Sequence, residues 1–188
     1  MTREPLGKGA RTSPVAGATG EAEVGRSVAY RLIAAGGRFR WIDNRSEVAS
    51  AAWRDHCWDV RRGADDRVIL SLVGGQVGGR TRIALVDHLT RRAATFAAAE
   101  PMSRTYIGVV RDSSDGLLMV IRADGPTGLH VISPVGELLA LSSRRRPPES
   151  HGCDILVTAA GAADGGTMVF GVTLALELLR AGGLRRVA

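Results

Sequence analysis

Apolar residues come in short blocks along this chain, separated by turns rich in Gly, Asp and Pro. The last block is the most ordered. Ile155, Leu156 and Val157 form an apolar run that leads into a small-residue turn over residues 161–166. An amphipathic helix follows and stops at Gly182-Gly183, before a new apolar start at Arg186-Val187-Ala188. Strand, turn, helix, strand in that order predicts a parallel crossover.

The earlier blocks fit the same scheme. Residues 81–99, TRIALVDHLTRRAATFAAA, place Ile83, Val86, Ala93, Phe96 and Ala97 at spacings of three and four. That spacing predicts a long helix, closed by Glu100-Pro101. Residues 47–58 predict a second helix with Ser46 as its N-cap, and residues 135–141 a third. Val28 to Ile33 reads as a short strand or helical turn, and Gly36-Gly37 breaks it. Val68-Ile69-Leu70, Tyr106 to Val110 and Leu117 to Arg122 read as strands, with turns at Asp112 to Gly116 and at Asp124-Gly125-Pro126. Helices between short apolar strands predict an α/β fold with a mixed, mostly parallel sheet covered by helices.

Composition narrows the class. A chain of 188 residues that is 45% hydrophobic has enough material for one packed domain. Residues 1–25 are poor in large apolar side chains and read as a disordered arm, leaving 26–188 as a single domain. No apolar run approaches the roughly 18 residues of a membrane span, and the N-terminus has no apolar signal-peptide centre. A cytoplasmic location is the expectation. The formal charge is +6, and nearly all the positive charge is arginine, since Lys8 is the only lysine. Such a surface favours acidic partners. Aromatic residues are only 4%, which argues against a base-stacking surface for single-stranded nucleic acid.

Candidate chemistry is sparse. Cys57 and Cys153 are far apart, and His56, His88, His130 and His151 show no metal-ligand spacing. No metal or cofactor is expected. Cys57 beside His56 does not make a nucleophile–base pair, because helical neighbours point about 100° apart. The three tryptophans, Trp41, Trp53 and Trp58, are expected in the core or in a dimer contact.

Three segments resemble the N-terminal half of a β-ketoacyl synthase, a thiolase-like condensing enzyme of fatty acid and polyketide synthesis. These are GQVGGRTRIALVDHLTRRAATFAAAE, RTYIGVVRDSSDG with the later Ile132-Ser133-Pro134, and GTMVFGVTLALELLRAGGLRRVA. The resemblance spans roughly residues 65–188 and implies half of a thiolase-like fold. Its nucleophilic cysteine would fall near Gly165, where no Cys stands. Asp164 there reads as an N-cap, and Cys153 lies on the wrong side of the turn. The partner catalytic residues belong to a C-terminal half not found here, and His130 and His151 read as loop-side histidines.

The resemblance therefore implies a non-catalytic ketosynthase-like subunit that pairs with an active ketosynthase and shapes its acyl pocket. Gly165, Gly166, Thr167, Phe170 and Leu174 would border that pocket or the dimer interface. Arg91, Arg92, Arg144, Arg145 and Arg146 would meet an acidic acyl carrier protein, and a hetero- or homo-oligomer is expected. The alternative is a small stand-alone α/β binding or regulatory module. Its anion site would be the Gly-rich helix start at residues 161–166.

Overall fold

The structure, a computed structural model, describes residues 27–77, 80–99, 106–125, 127–144 and 152–180. Twelve strands and one helix make it up. The strands are β1 (Val28–Ala35), β2 (Arg38–Asp43), β3 (Ser46–Arg54), β4 (Cys57–Arg62), β5 (Val68–Val77) and β6 (Arg80–Asp87). They continue with β7 (Arg92–Ala98), β8 (Tyr106–Asp112), β9 (Leu117–Asp124), β10 (Gly128–Ile132), β11 (Leu138–Arg144) and β12 (Gly152–Val157). The helix α1 (Ala159–Arg180) follows β12. Each strand pairs antiparallel with its sequence neighbour, and β12 pairs antiparallel with β1, so the sheet closes on itself. A closed barrel leaves no edge strand to pair elsewhere.

Local chemistry explains the meander. Gly36 and Gly37 both take positive φ, 59° and 74°. That is the two-residue turn whose twist matches the flanking strands. Asp55 and His56 do the same between β3 and β4, at 44° and 69°. Between β6 and β7 the turn contains no glycine. Asp87 Oδ1 accepts the backbone N–H of Leu89 at 2.8 Å and of Thr90 at 3.0 Å, and Arg91 takes φ 57°. An aspartate that holds its own following backbone is a turn former in its own right.

This architecture overturns the α/β expectation and the ketosynthase resemblance together. No pair of strands is parallel, and no helix covers the sheet among the described residues. Residues 81–99 are not a helix but the β6–β7 hairpin, with Ile83 opposite Phe96 and Leu85 opposite Ala94. Residues 47–58 form the β3–β4 hairpin, with Trp53 opposite Trp58, and Ser46 opens a strand instead of capping a helix. Residues 135–141 end a turn and enter β11. The strand readings at Val68–Leu70, Tyr106–Val110, Leu117–Arg122 and Ile155–Val157 do fall on strands. The last of these is antiparallel to both its neighbours, so the crossover is absent. With that topology goes the reading of a ketosynthase-like subunit in fatty acid or polyketide synthesis.

The helix lies inside the barrel. From Gly171 to Leu178 every residue of α1 is buried, and Val169, Val172, Leu174 and Ala175 are fully so. Only Thr173 and Glu177 interrupt its apolar surface there, and a helix so nearly apolar all round belongs in an interior. Eight strands can be filled by side chains alone, whereas a twelve-stranded barrel encloses more space. Here α1 fills it, packing on β5, β6, β11 and β12. Gly171 lets it approach: a Cβ there would stand 2.6 Å from Leu70 Cδ2. Tyr30 and Trp41 close edge-on against Phe170, with ring centroids 4.9 and 5.7 Å apart. No helix of the described residues is long and apolar enough to cross a membrane.

Thr158 anchors the start of α1. Its Oγ1 donates to the Leu138 carbonyl at 2.6 Å and accepts from Gly161 N at 3.1 Å. Gly161 rests directly on the Leu139 backbone. This corrects the second expectation as well: in the described residues the helix start is capped by threonine and pressed on β11 rather than opened as an anion cradle. The α/β module falls with it.

Candidate functional site

With the interior filled, ligand chemistry falls to the outer wall. Alternation along β6 turns Ile83 and Leu85 inward and Arg80, Arg82, Ala84 and Val86 outward. On β7, Ala94 and Phe96 point in, leaving Thr95 and Ala97 outward. Arg82 stands opposite Ala97 and Ala97 opposite Val109, while Thr95 stands opposite Arg111. A strand with short outward side chains thus lies between two strands bearing long ones. The result is a cleft of about 590 Å³ lined by Arg80, Arg82, Thr95, Ala97, Tyr106 and Arg111, with Asp112 and Asp115 at one end. That volume is within the range of small-molecule sites.

Its charges are unevenly held. Arg111 Nη1 donates to the Asp115 carbonyl at 2.8 Å, and its Nε lies 3.7 Å from Asp115 Oδ1. Asp112 Oδ1 accepts the N–H groups of Ser114 and Gly116 at 2.8 and 2.7 Å, which fixes the β8–β9 turn. Arg80 and Arg82 are exposed and make no ion pair with a described residue. Positive charge is therefore uncommitted at the Tyr106 end and neutralised at the Asp115 end.

A larger and shallower depression, about 720 Å³, crosses β2, β1, β12, β11 and β10. Leu141 and Leu156 form its floor. Its charged groups are already matched: Arg31 Nε lies 3.7 Å from Asp154 Oδ1, and His130 Nε2 lies 3.1 Å from Asp124 Oδ2. It offers no uncommitted charge to orient a ligand.

A polar chain runs across the outer face of β4 and β5. Ser71 Oγ donates to Asp59 Oδ1 at 2.8 Å, and His88 Nε2 lies 3.0 Å from the same Oγ. Because the hydroxyl's one proton goes to the carboxylate, His88 must donate to Ser71 and cannot take its proton. The acid sits on the serine rather than on the histidine, so Ser71 is not activated as a nucleophile. The Cys57 thiol, with one proton to give, lies 3.3 Å from the Arg54 carbonyl and 3.4 Å from Asp59 Oδ1. Burial, and then the Asp59 carboxylate, push its pKa up to about 11, away from thiolate chemistry. Among the described residues no three His, Cys, Asp or Glu side chains cluster to hold a metal.

The structure scatters the residues singled out from the sequence. Gly166, Thr167, Phe170 and Leu174 lie on α1, with Leu174 fully buried inside the barrel. Gly165 lies on α1 where side-chain surroundings are not described. Arg91 and Arg92 are exposed at the β6–β7 turn. Arg144 is exposed at the end of β11, four strands around the barrel and at its opposite end. Arg145, Arg146 and His151 lie outside the described residues. His130, read as a loop-side histidine, lies within β10 instead. Arg82 is hidden by the helical reading of residues 81–99, and Arg80 and Arg111 fall just outside the elements read from the sequence. Reading R-T-R at the head of a strand, followed by the small outward residues of β7, is the signal that finds them.

Comparison with family models, with curated proteins and with solved structures finds no match to this chain.

Proposed function

We propose that this protein is a recognition barrel that binds an anionic ligand on its outer wall, in the cleft across β6, β7 and β8. The observation that carries this reading is the pair Arg80 and Arg82, uncommitted beside a floor of Thr95 and Ala97. Guanidinium groups are the natural partners of carboxylate and phosphate oxygens, because their planar donors pair with both oxygens at once. The helix-filled interior supports the reading from the other side, since it leaves the strands rigid and their outward residues fixed in register.

The test is a titration of isotope-labelled protein with acetate, phosphate and tripolyphosphate, read by amide chemical shifts. Anions are expected to move Thr95, Ala97 and Val109, and the double variant Arg80→Ala/Arg82→Ala is expected to lose the response while keeping its fold. Shifts that cluster elsewhere, or that persist in the double variant, would falsify the assignment.

A further inference from the structure

We infer that the ligand of this cleft is dipolar: a phosphomonoester head and an ammonium group carried on one small polar scaffold. The inference rests on the anion-binding reading above and deepens it by naming the second charged group of the ligand.

The two ends of the cleft carry opposite charge. Arg80 and Arg82 stand at the Tyr106 end, exposed and in no ion pair with a described residue, and together they carry +2. At the other end Arg111 is set against Asp112 and Asp115, so one positive charge against two negative ones leaves −1. A phosphomonoester carries about −1.5 to −2 at pH 7 and has three acceptor oxygens, enough to occupy both guanidinium groups. A carboxylate or a phosphodiester brings a single charge and leaves one of the two arginines unanswered. The phosphate therefore settles at Arg80 and Arg82.

The far end decides what else the ligand carries. Arg82 stands level with Ala97 and Val109, and Asp112 lies three residues further along β8, about 10 Å at the ordinary rise of a strand. The long Arg82 side chain can cover part of that distance, which leaves room for one sugar-sized scaffold. Arg111 Nη1 is engaged by the Asp115 backbone carbonyl at 2.8 Å, while its Nε stays 3.7 Å from the Asp115 carboxylate. That carboxylate, on a side chain 87% exposed, keeps acceptor capacity for an ammonium group. A second anionic group would be repelled there. Between the ends the wall includes the Thr95 hydroxyl, which suits a hydroxylated scaffold.

The experiment compares glucosamine 6-phosphate, glucose 6-phosphate and N-acetylglucosamine 6-phosphate on the intact chain at pH 7 and low salt, by calorimetry and by amide shifts. Only the first carries an ammonium group, across the ring from its phosphate. It is expected to bind at least threefold more tightly than the other two, and to be alone in moving the amides of Arg111 and Asp115. Arg80→Ala/Arg82→Ala should weaken all three at least tenfold. Asp115→Asn should bring glucosamine 6-phosphate level with glucose 6-phosphate, and added salt should shrink the preference in the parent protein. Equal binding of all three in this cleft overturns the dipolar inference and leaves the anion site standing. A preference that survives Asp115→Asn overturns the place given to the ammonium group. Failure of all three to move Thr95, Ala97 and Val109 removes the site itself.

Discussion

Phe96 and Ala97 are neighbours on β7 and lead opposite lives. Phe96 is fully buried in the barrel interior; Ala97 lies outside, on the floor of the arginine cleft. The same contrast holds along the whole β6–β8 wall, where Ile83, Leu85 and Val110 face in and Arg82, Val109 and Arg111 face out. The lesson is that one backbone carries two independent programmes. Inward positions of the wall build the barrel interior, and outward positions arrange charge. Because a strand separates them by a single residue, stability and recognition can be changed one at a time.

The largest effect should come from the inner programme. Phe96→Ala deletes a fully buried ring in the barrel interior, so it should cost about 3–5 kcal/mol in chemical denaturation. Ala97→Leu, one residue along, should stay within about 0.5 kcal/mol of the parent while filling the cleft and abolishing anion-induced shifts. If Ala97→Leu destabilises as much as Phe96→Ala, the two faces are not independent and the comparison breaks.

A smaller effect should come from the junction between wall and helix. Thr158→Ala removes the hydroxyl that caps α1 and ties it to Leu138, and should cost about 1 kcal/mol. The cleft lies across the barrel from β11 and β12, so anion binding should be unchanged by this variant. Loss of binding with only a modest loss of stability would show that the helix sets the cleft as well as the core.

These two programmes also explain what was legible in the sequence. The short apolar strands at Val68–Leu70, Tyr106–Val110, Leu117–Arg122 and Ile155–Val157, and a helix after Val157, can be read from apolar runs alone. The hairpins over residues 47–58 and 81–99 cannot, because their outward faces carry Ala and Val as well as Arg. Apolar residues on both faces blur a period of two, and in TRIALVDHLTRRAATFAAA the remainder mimics helical spacing. Alanine's helical preference is then overridden by pairing and burial, as in the Ile83–Phe96 cross-strand pair. The decisive signal lay in the turns: Gly36-Gly37, Asn44-Arg45, Asp55-His56, Asp65-Asp66, Asp87-His88 and Asp115-Gly116 punctuate the chain, mostly every ten residues or so. The helix expected as amphipathic carries the other signal: between Met168 and Leu179 only Thr173 and Glu177 are polar, and so apolar a helix lies inside. The cleft was illegible without register, because its arginines come from two strands separated by a third.

The two cysteines sharpen the comparison most finely, since each belongs to one programme. Cys153 is 1% exposed in β12, and Cys57 lies on the outer face of β4 with its thiol 3.4 Å from Asp59 Oδ1. Although the more accessible of the two, Cys57 should alkylate slowly at pH 8, because its pKa stands at about 11 against an ordinary 9.0 and little thiolate is present. The sign for stability follows. The folded state holds this proton more tightly than the unfolded chain does, so the contribution is complete below pH 9 and is lost as pH rises through 11. Asp59→Asn removes the carboxylate beside the thiol, and should speed Cys57 alkylation at pH 8 several-fold with a lower apparent pKa. Cys153 should react only as the barrel unfolds, at a rate that tracks denaturant rather than pH. A Cys57 that alkylates at the speed of a free thiol in the parent protein would mean that Asp59 does not hold it. The polar chain through Ser71 and His88 would then lose its anchor on the outer wall.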